Sequence, residues 1–419
     1  MRVAIVAEHA SKRFGGEAIL PYHYFRVLRE RGVEAWLVVH SRTRPEMIEL
    51  FPEELERLIF VEDLTLHKVI YQVSRIFPRR ISEATFGLAN QLLTQLCQRR
   101  IVKRLVRDHD VDVVHQPIPV SPRFPSLMSG LGAPVVIGPL NGGMDYPPAF
   151  KHAESAFSRA AIALGRSFSN IVNAVLPGKR NAAVVLVANE RTRQALPSGL
   201  RGQVIELPEN GVDLAQWSTK PATRDANEPQ RFLFIGRLVD WKALHIAIRA
   251  LAITPGAQLD VIGGGPMEAA WKALTVQLGV QDRVRFLGFQ PQDVCAKRLG
   301  AARALLLPSI YECGGAVVLE AMAMSKPVIA TAWGGPADYV TPDCGILVEP
   351  GSEDSLVAGF AQAMGLLMDN TDLCNRLGAE GRRRLVQVFD WEKKIDRMLD
   401  IYASTQSRVM EKKTQNLSA

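Results

Sequence analysis

A doubly wound α/β architecture, repeated in two successive domains, is the fold class this sequence predicts. Three observations carry it. Short β-branched runs alternate with helical stretches along nearly the whole chain, glycines collect just after those runs, and one polar stretch, 218–230 (STKPATRDANEPQ), interrupts the rhythm near the middle. Strands separated by helix-length segments form parallel sheets covered by helices, and a stretch rich in Pro, Thr, Asp and Asn but poor in large apolar residues reads as a linker.

In order, the first half predicts strands at 2–6, 34–39, 111–114, 134–137, 184–187 and 203–206. The second half repeats the rhythm at 231–235, 258–262, 283–286, 304–307, 327–330 and 345–348. Segments 371–388 and 391–404 carry helical patterning, whereas 406–419 is polar and lacks apolar periodicity, the mark of a frayed end. The expected layout is a first Rossmann-like domain over 1–217, the linker at 218–230, a second Rossmann-like domain over 231–388, a helix over 389–405 that could pack back on the first domain, and a flexible tail over 406–419.

Composition excludes several classes. With 47% hydrophobic and 22% charged residues in 419, the chain has ordinary globular usage and enough length for two cores. The N-terminus is apolar for only a few residues before charges intervene, so it reads as a strand and not a signal peptide. No run of about 18 apolar residues is present, so no membrane span is expected. Five widely spaced cysteines without a CxxC or CxxH pair argue for a reduced, cytoplasmic setting and against zinc. Of the net charge of +7, residues 1–215 carry +6. An anionic partner near the first half fits this excess, and so do scattered solvated cations. Basic residues cluster around Arg75, Arg79 and Arg80, along Arg99 to Arg107, and at Arg159 and Arg166, a pattern suited to peripheral contact with an anionic membrane. Nothing in the sequence points to nucleic acid.

Ligands of open parallel sheets bind outside the carboxyl ends of the strands. The first half places Gly15-Gly16, His115 and Gly138 to Gly143 there, including Asn141 and Gly142. The second half places Gly236-Arg237, Gly263 to Pro266, Pro308 to Gly315 and Trp333 to Pro336 there. None of these loops matches GxGxxG with a downstream acid or GxxxxGK[ST], which counts against a dehydrogenase or a Walker-type ATPase.

Glu312 and Glu320 are two carboxylates eight positions apart. A helix beginning near Gly315 would put Glu312 in the preceding loop and Glu320 in the second turn, so that both contact one elongated ligand. Gly314, Gly315, Ala316 and Val317 then lie at the positive helix end, suited to a diphosphate, and a carboxylate can accept from vicinal hydroxyls of a ribose or hexose. Arg237 and Lys242 flank the next element and can converge on the same diphosphate.

At these residues the sequence resembles the family 4 glycosyltransferases, retaining enzymes of the GT-B fold, over essentially its whole length. The matching stretches are Gly15-Gly16 with its helix, Asp112 to His115, Glu209 to Asp213, Gly236-Arg237-Leu238 with Lys242, Val261 to Pro266, and Glu312 through Ile329. The resemblance implies two Rossmann-like domains facing a cleft and a donor that is a nucleotide diphosphate sugar. Gly16 would approach the donor phosphates or the acceptor, Arg237 and Lys242 would neutralise the leaving diphosphate, Glu312 would meet the transferred sugar and Glu320 the ribose. The acceptor would be a carbohydrate or lipid-linked glycan of cell-surface or exopolysaccharide synthesis.

Three departures stand out. Glu312-Cys313-Gly314-Gly315 stands where the family often has Glu-Gly-Phe-Gly, so no aromatic follows in the motif, Ala243 replaces a glycine after the lysine, and His115 is followed by Gln116 and Pro117 instead of the x-His of a His-x-His. His115 is thus either the functional histidine or a strand-end residue packed beneath the site. No Asp-x-Asp stands where a metal would bridge phosphates, so no metal and no other cofactor are expected. Two alternatives share the fold: a sugar phosphorylase or sugar-phosphate synthase using Lys12 and Arg13, and an inactive scaffold subunit.

Overall fold

The computed structural model describes residues 1–13, 16–76, 83–153, 169–215, 217 and 231–417. The chain divides into two compact units, the first formed by Met1–Gly143, Arg159–Glu209 and Ile395–Ala419, the second by Met144–Ser158 and Asn210–Lys394.

The first unit holds a seven-stranded sheet of β1 (Arg2–Val6), β2 (Glu34–His40), β3 (Leu58–Val61), β4 (Val113–Gln116), β5 (Val135–Leu140), β6 (Val184–Val187) and β7 (Gln203–Glu206). Its order is β3-β2-β1-β4-β5-β6-β7, with every pair parallel. The second unit holds β8 (Arg231–Ile235), β9 (Gln258–Ile262), β10 (Val284–Phe286), β11 (Leu305–Leu307), β12 (Val328–Thr331) and β13 (Gly345–Val348), in the order β10-β9-β8-β11-β12-β13. Both orders reverse direction beside the first strand of the unit, which is the topology of a doubly wound sheet.

Burial on both faces explains why these strands read as continuous apolar runs. In β8, Phe232 and Phe234 point into the cluster containing Leu244, Ile248, Val261 and Phe360. Leu233 points the other way, into the cluster containing Leu305, Val318, Met322 and Leu385. The strand period of two thus feeds both layers from one pentapeptide.

Two expectations on organisation are corrected. The first domain does not extend to 217: Val212 exchanges backbone hydrogen bonds with Phe389 and Trp391 at 2.9 and 3.2 Å, and Trp217 is buried in the second core, so the change of unit falls after Glu209. The expected linker itself lies outside the described residues. The end of the chain is not a frayed tail from 406: one helix runs over Trp391–Leu417. Its Ile395, Met398, Ile401, Tyr402 and Thr405 are buried at helical spacing, and Gln406, just past them, donates to Asp112 at 2.6 Å. Its portion from Ile395 onward belongs to the first unit. Strand β3 went unread because it is a four-residue edge strand with two half-exposed positions, following the charged turn of Leu55–Arg57.

Candidate functional site

The loops after β8, β9, β11 and β12 meet at one edge of the second sheet. Glycine is required there by close backbone approach. A methyl at Gly263, whose φ is +130°, would lie 1.9 Å from the carbonyl oxygen of Gly236, and one at Gly335 would lie 1.9 Å from that of Gly314. The Gly335 amide also donates to the Glu312 carbonyl at 2.7 Å, so the two loops are bonded to one another.

Lys242 ends a short 3-10 turn, Asp240–Lys242, with its stem over Gly236, whose added Cβ would sit 3.7 Å from Cε. Ala243 follows at φ 49° and ψ 36°, fully buried, and opens the helix Leu244–Ala252. The glycine expected at this position would have met a left-handed backbone without a penalty; alanine tolerates it at about 1 kcal/mol.

Lys242 Nζ forms an ion pair with the Glu312 carboxylate, and the two side chains are only 16% and 14% exposed. Sequence reasoning had given these residues separate duties at a diphosphate and at a sugar. The structure joins them: the ammonium is held in place by the carboxylate, and the carboxylate is neutralised by the ammonium. Arg237, in the loop after β8, is exposed.

Gly315 caps the helix Ala316–Ala323 at φ +83°, with no side chain bonded to the first-turn amides. The amides of Ala316 and Val317 sit in that first turn, where intrahelical acceptors do not exist and the helix end is positive. Gly314 lies just before, packed against Gly335. Glu320 is in the second turn, half-buried, and burial raises its pKa to about 7. It also contributes to the raised pKa of Cys295, which burial pushes up to about 11. Although Gly314 stands where the motif has an aromatic, Tyr311 lies beside Glu312 and packs against Tyr146 with ring centroids 5.0 Å apart. Trp333 Nε1 donates to the Asp145 carbonyl at 2.8 Å, so segment 144–150 is fastened to the loops of its own unit.

In the first unit, Gly16 begins a 3-10 turn with φ +57° and open space where a Cβ would be. Gly15 lies outside the described residues. Asn141 is 5% exposed and donates to Glu209 at 2.6 Å, while the Gly142 amide donates to Thr192 Oγ1 at 3.1 Å.

His115 is withdrawn from the acceptor residues. It is fully buried, and its Nε2 lies 2.7 Å from the Gly138 carbonyl, which can only accept, so the proton is on Nε2. Nδ1 therefore accepts from the Tyr402 hydroxyl at 2.7 Å. Burial lowers the pKa to about 4, so the ring stays neutral and serves to dock the C-terminal helix.

Sequence reasoning missed the carboxylates of this edge. Glu17 accepts from the Val120 amide at 2.9 Å, and burial raises its pKa; burial also raises that of Glu8, with Glu17 adding to the effect. His9 is shifted down by burial and by Arg42. Glu8 and His9 stand just past β1, where a census of strand ends that included charged residues would have found them.

Among the described residues, His40, Asp63 and His67 offer ligand atoms within 4.8 Å of one another. Their hydrogen bonds leave little for a cation. His40 Nδ1 accepts from the Arg42 amide at 3.3 Å and His67 Nδ1 from the Leu64 amide at 2.9 Å, so the other nitrogen of each neutral ring carries hydrogen instead of a lone pair.

Residues 216–384 match the family model of the glycosyl transferases group 1. That stretch contains Gly236, Arg237, Lys242, Glu312 and Glu320. The chain is 33% identical over 171 residues to the lipopolysaccharide core biosynthesis glycosyltransferase LpsE of Rhizobium meliloti, covering 41% of this chain and 48% of that protein. It is 32% identical over 193 residues to the glycogen synthase of Mycobacterium tuberculosis, covering 45% of each. The chain thus spans about half the length of these curated relatives. Solved structures share the fold over nearly the whole chain. HepE of Anabaena in complex with UDP superposes with a TM-score of 0.65 at 17% identity, covering 96% of this chain and all of that one. Sucrose-phosphate synthase of Thermosynechococcus elongatus gives 0.66 at 20%, covering 97% and 100%. The fold is therefore GT-B, with Rossmann-like sheets of seven and six strands.

Proposed function

We propose that the chain is a retaining glycosyltransferase of family 4 that moves a sugar from a nucleotide diphosphate sugar to a carbohydrate or lipid-linked acceptor in cell-surface polysaccharide synthesis, without a resident metal. The observation that carries the reading is the convergence of the Lys242–Glu312 pair, Arg237 and the uncapped helix end at Gly315 on one edge of the second sheet. Bond cleavage releases a diphosphate, and oriented cations and amides stabilise that growing charge without reorganising. Lys242 and Arg237 would receive the diphosphate with the amides of Ala316 and Val317, Glu312 would contact the transferred sugar while holding Lys242, and Glu320 would accept from the ribose hydroxyls.

HepE is described in complex with UDP-glucose, so UDP sugars are the first donors to test. A thermal-shift panel of UDP, GDP and ADP sugars should give one stabilising family, since a ligand at 100 times its Kd adds about 2.7 kcal/mol. Proton NMR of the glycosylated product should then show the anomeric configuration of the donor. An inverted product overturns retention, and turnover lost in EDTA and restored by Mg²⁺ or Mn²⁺ overturns metal independence. The phosphorylase alternative would use Lys12 and Arg13; Arg13 pairs with Glu49 at 2.6 Å, but both side chains are exposed and such a pair exchanges readily, so a product assay with inorganic phosphate separates the two readings.

Peripheral membrane contact belongs to the same proposal. No helix among the described residues is long and apolar enough to cross a membrane. The helix Thr65–Ser74 and its flanks nonetheless expose Leu64, Leu66, Val69, Tyr71, Val73 and Ile76, with Lys68 and Arg75 beside them. Leu66, Val69, Val73 and Ile76 recur at helical spacing, the pattern of an interfacial helix. The charge clusters at Arg79, Arg80, Arg159 and Arg166 lie outside the described residues. Sedimentation with anionic vesicles at low salt tests the contact, and no binding there refutes it.

A further inference from the structure

At the opposite edge of the second sheet, near the start of β8, Asp260 is buried in mid-strand at 4% exposure with three guanidinium groups around its one carboxylate. Arg231 reaches Oδ1 at 2.9 Å. Arg285 grips both oxygens, Nε to Oδ1 at 2.8 Å and Nη2 to Oδ2 at 2.7 Å. Arg298, from the helix Gln292–Ala301, stands 3.6 Å from Oδ2.

A buried carboxylate needs one well-placed cation, and bidentate Arg285 already supplies it. Arg298 is too far for a good hydrogen bond and adds like charge. Burial lowers the pKa of Arg231, Asp260 opposes the shift, and Arg285 and Arg298 reinforce it by repulsion. Among the described residues, three positive charges thus face one negative charge. They line an open pocket of about 350 Å³ with Ala301 and Ala302, and the exposed parts of Arg285 and Arg298 amount to 42% and 44% of their side chains.

We infer that this pocket binds a phosphoryl group, either as free phosphate or on a small phosphorylated metabolite. Arg298 and the unused N–H groups of Arg231 and Arg285 are the donors, and Asp260 is the internal counter-ion that keeps the forks oriented. The glycine loops follow the carboxyl ends of the strands, whereas Arg231 opens β8 and Ala302 precedes β11, so the occupant is distinct from a donor bound at those loops.

The test is isothermal titration of the full chain with inorganic phosphate, pyrophosphate and a hexose monophosphate at low ionic strength. Lys242→Gln serves as the background, so that the glycine-loop edge contributes less. Adding Arg298→Gln should weaken binding about tenfold or more, the share of a hydrogen bond to a charged group, and Arg298→Lys should restore part of it. The melting temperature without ligand should change little, because Arg298 is the most distant of the three guanidinium groups around Asp260, at 3.6 Å, and Arg231 and Arg285 continue to hold the carboxylate. Equal affinity for phosphate and hexose phosphate identifies the phosphoryl group alone as the ligand, and tighter hexose phosphate identifies a metabolite. Absence of binding by all three probes, or an affinity unchanged by Arg298→Gln, overturns the inference.

Discussion

Replacing Lys242 by methionine separates the two duties assigned to the Lys242–Glu312 pair. With side chains only 16% and 14% exposed, the pair is poorly screened, and removing the ammonium strands a carboxylate in a largely dry site. Breaking a buried pair costs about 3 to 5 kcal/mol, and partial exposure brings the expectation here to about 2 or 3. Lys242→Met should therefore lower the free energy of unfolding by that amount in urea titrations. The double variant Lys242→Met/Glu312→Gln removes both charges and should regain most of the stability. Turnover should behave otherwise. If the ammonium meets charge that develops only as the sugar–diphosphate bond breaks, kcat falls about 10²- to 10³-fold with a smaller change in KM, and the double variant does not recover it. Steady-state kinetics with circular dichroism on the same preparations reads both quantities. Near wild-type kcat in folded Lys242→Met, or recovery of kcat in the double variant, would refute the reasoning.

Three other outcomes follow from the geometry. Tyr402→Phe leaves the buried Nδ1 of His115 without its donor, so stability should drop by about 1 to 3 kcal/mol in urea denaturation while donor KM is unchanged. Glu320 has a folded pKa of about 7, raised by burial above the ordinary 4.5, so the protonated form favours the folded state; its stabilising contribution is complete below pH 4.5 and lost as pH rises through 7. Glu320→Gln should accordingly gain stability relative to the parent between pH 5 and 8 in melting curves, and in the parent donor KM should fall over the same interval as the carboxylate forms. At Ala243, glycine relieves left-handed strain but deletes a buried methyl, two terms of about 1 kcal/mol each, so Ala243→Gly should be nearly neutral; Ala243→Val should destabilise by more than 2 kcal/mol, because a β-branched residue at φ 49° is a true outlier. Calorimetry of the two variants checks the contrast.

How far the sequence could be read depended on whether the relevant contacts are local. The parallel strands were legible because both faces are buried, leaving runs such as RFLFI and VVLV with no polar interruption. Edge strand β3 lacked that signal. The residues of the second-unit edge were legible for a related reason: each lies within a few positions of a strand end, and the glycines that allow close approach are its neighbours in sequence. Their electrostatic state was not, because Lys242 and Glu312 are 70 positions apart and nothing local says that they touch.

The first unit shows the same limit more strongly. His115 could be read as functional or packed, and what decides between them is Tyr402, 287 positions away on a helix whose docking no local pattern encodes. Asn141 looked like a ligand-facing residue of a glycine-rich loop, yet its amide is committed to Glu209, 68 positions on. Glu17 is fixed by the Val120 amide, 103 positions on; burial raises its pKa and that long-range bond opposes the shift. An edge assembled from such distant pairs has no contiguous motif, so substitutions there can change which side chains are free without altering any recognisable sequence signature. The second-unit edge, built from residues next to strand ends, is therefore the part of this chain that short motifs mark, and the first-unit edge is the part whose chemistry has to be measured.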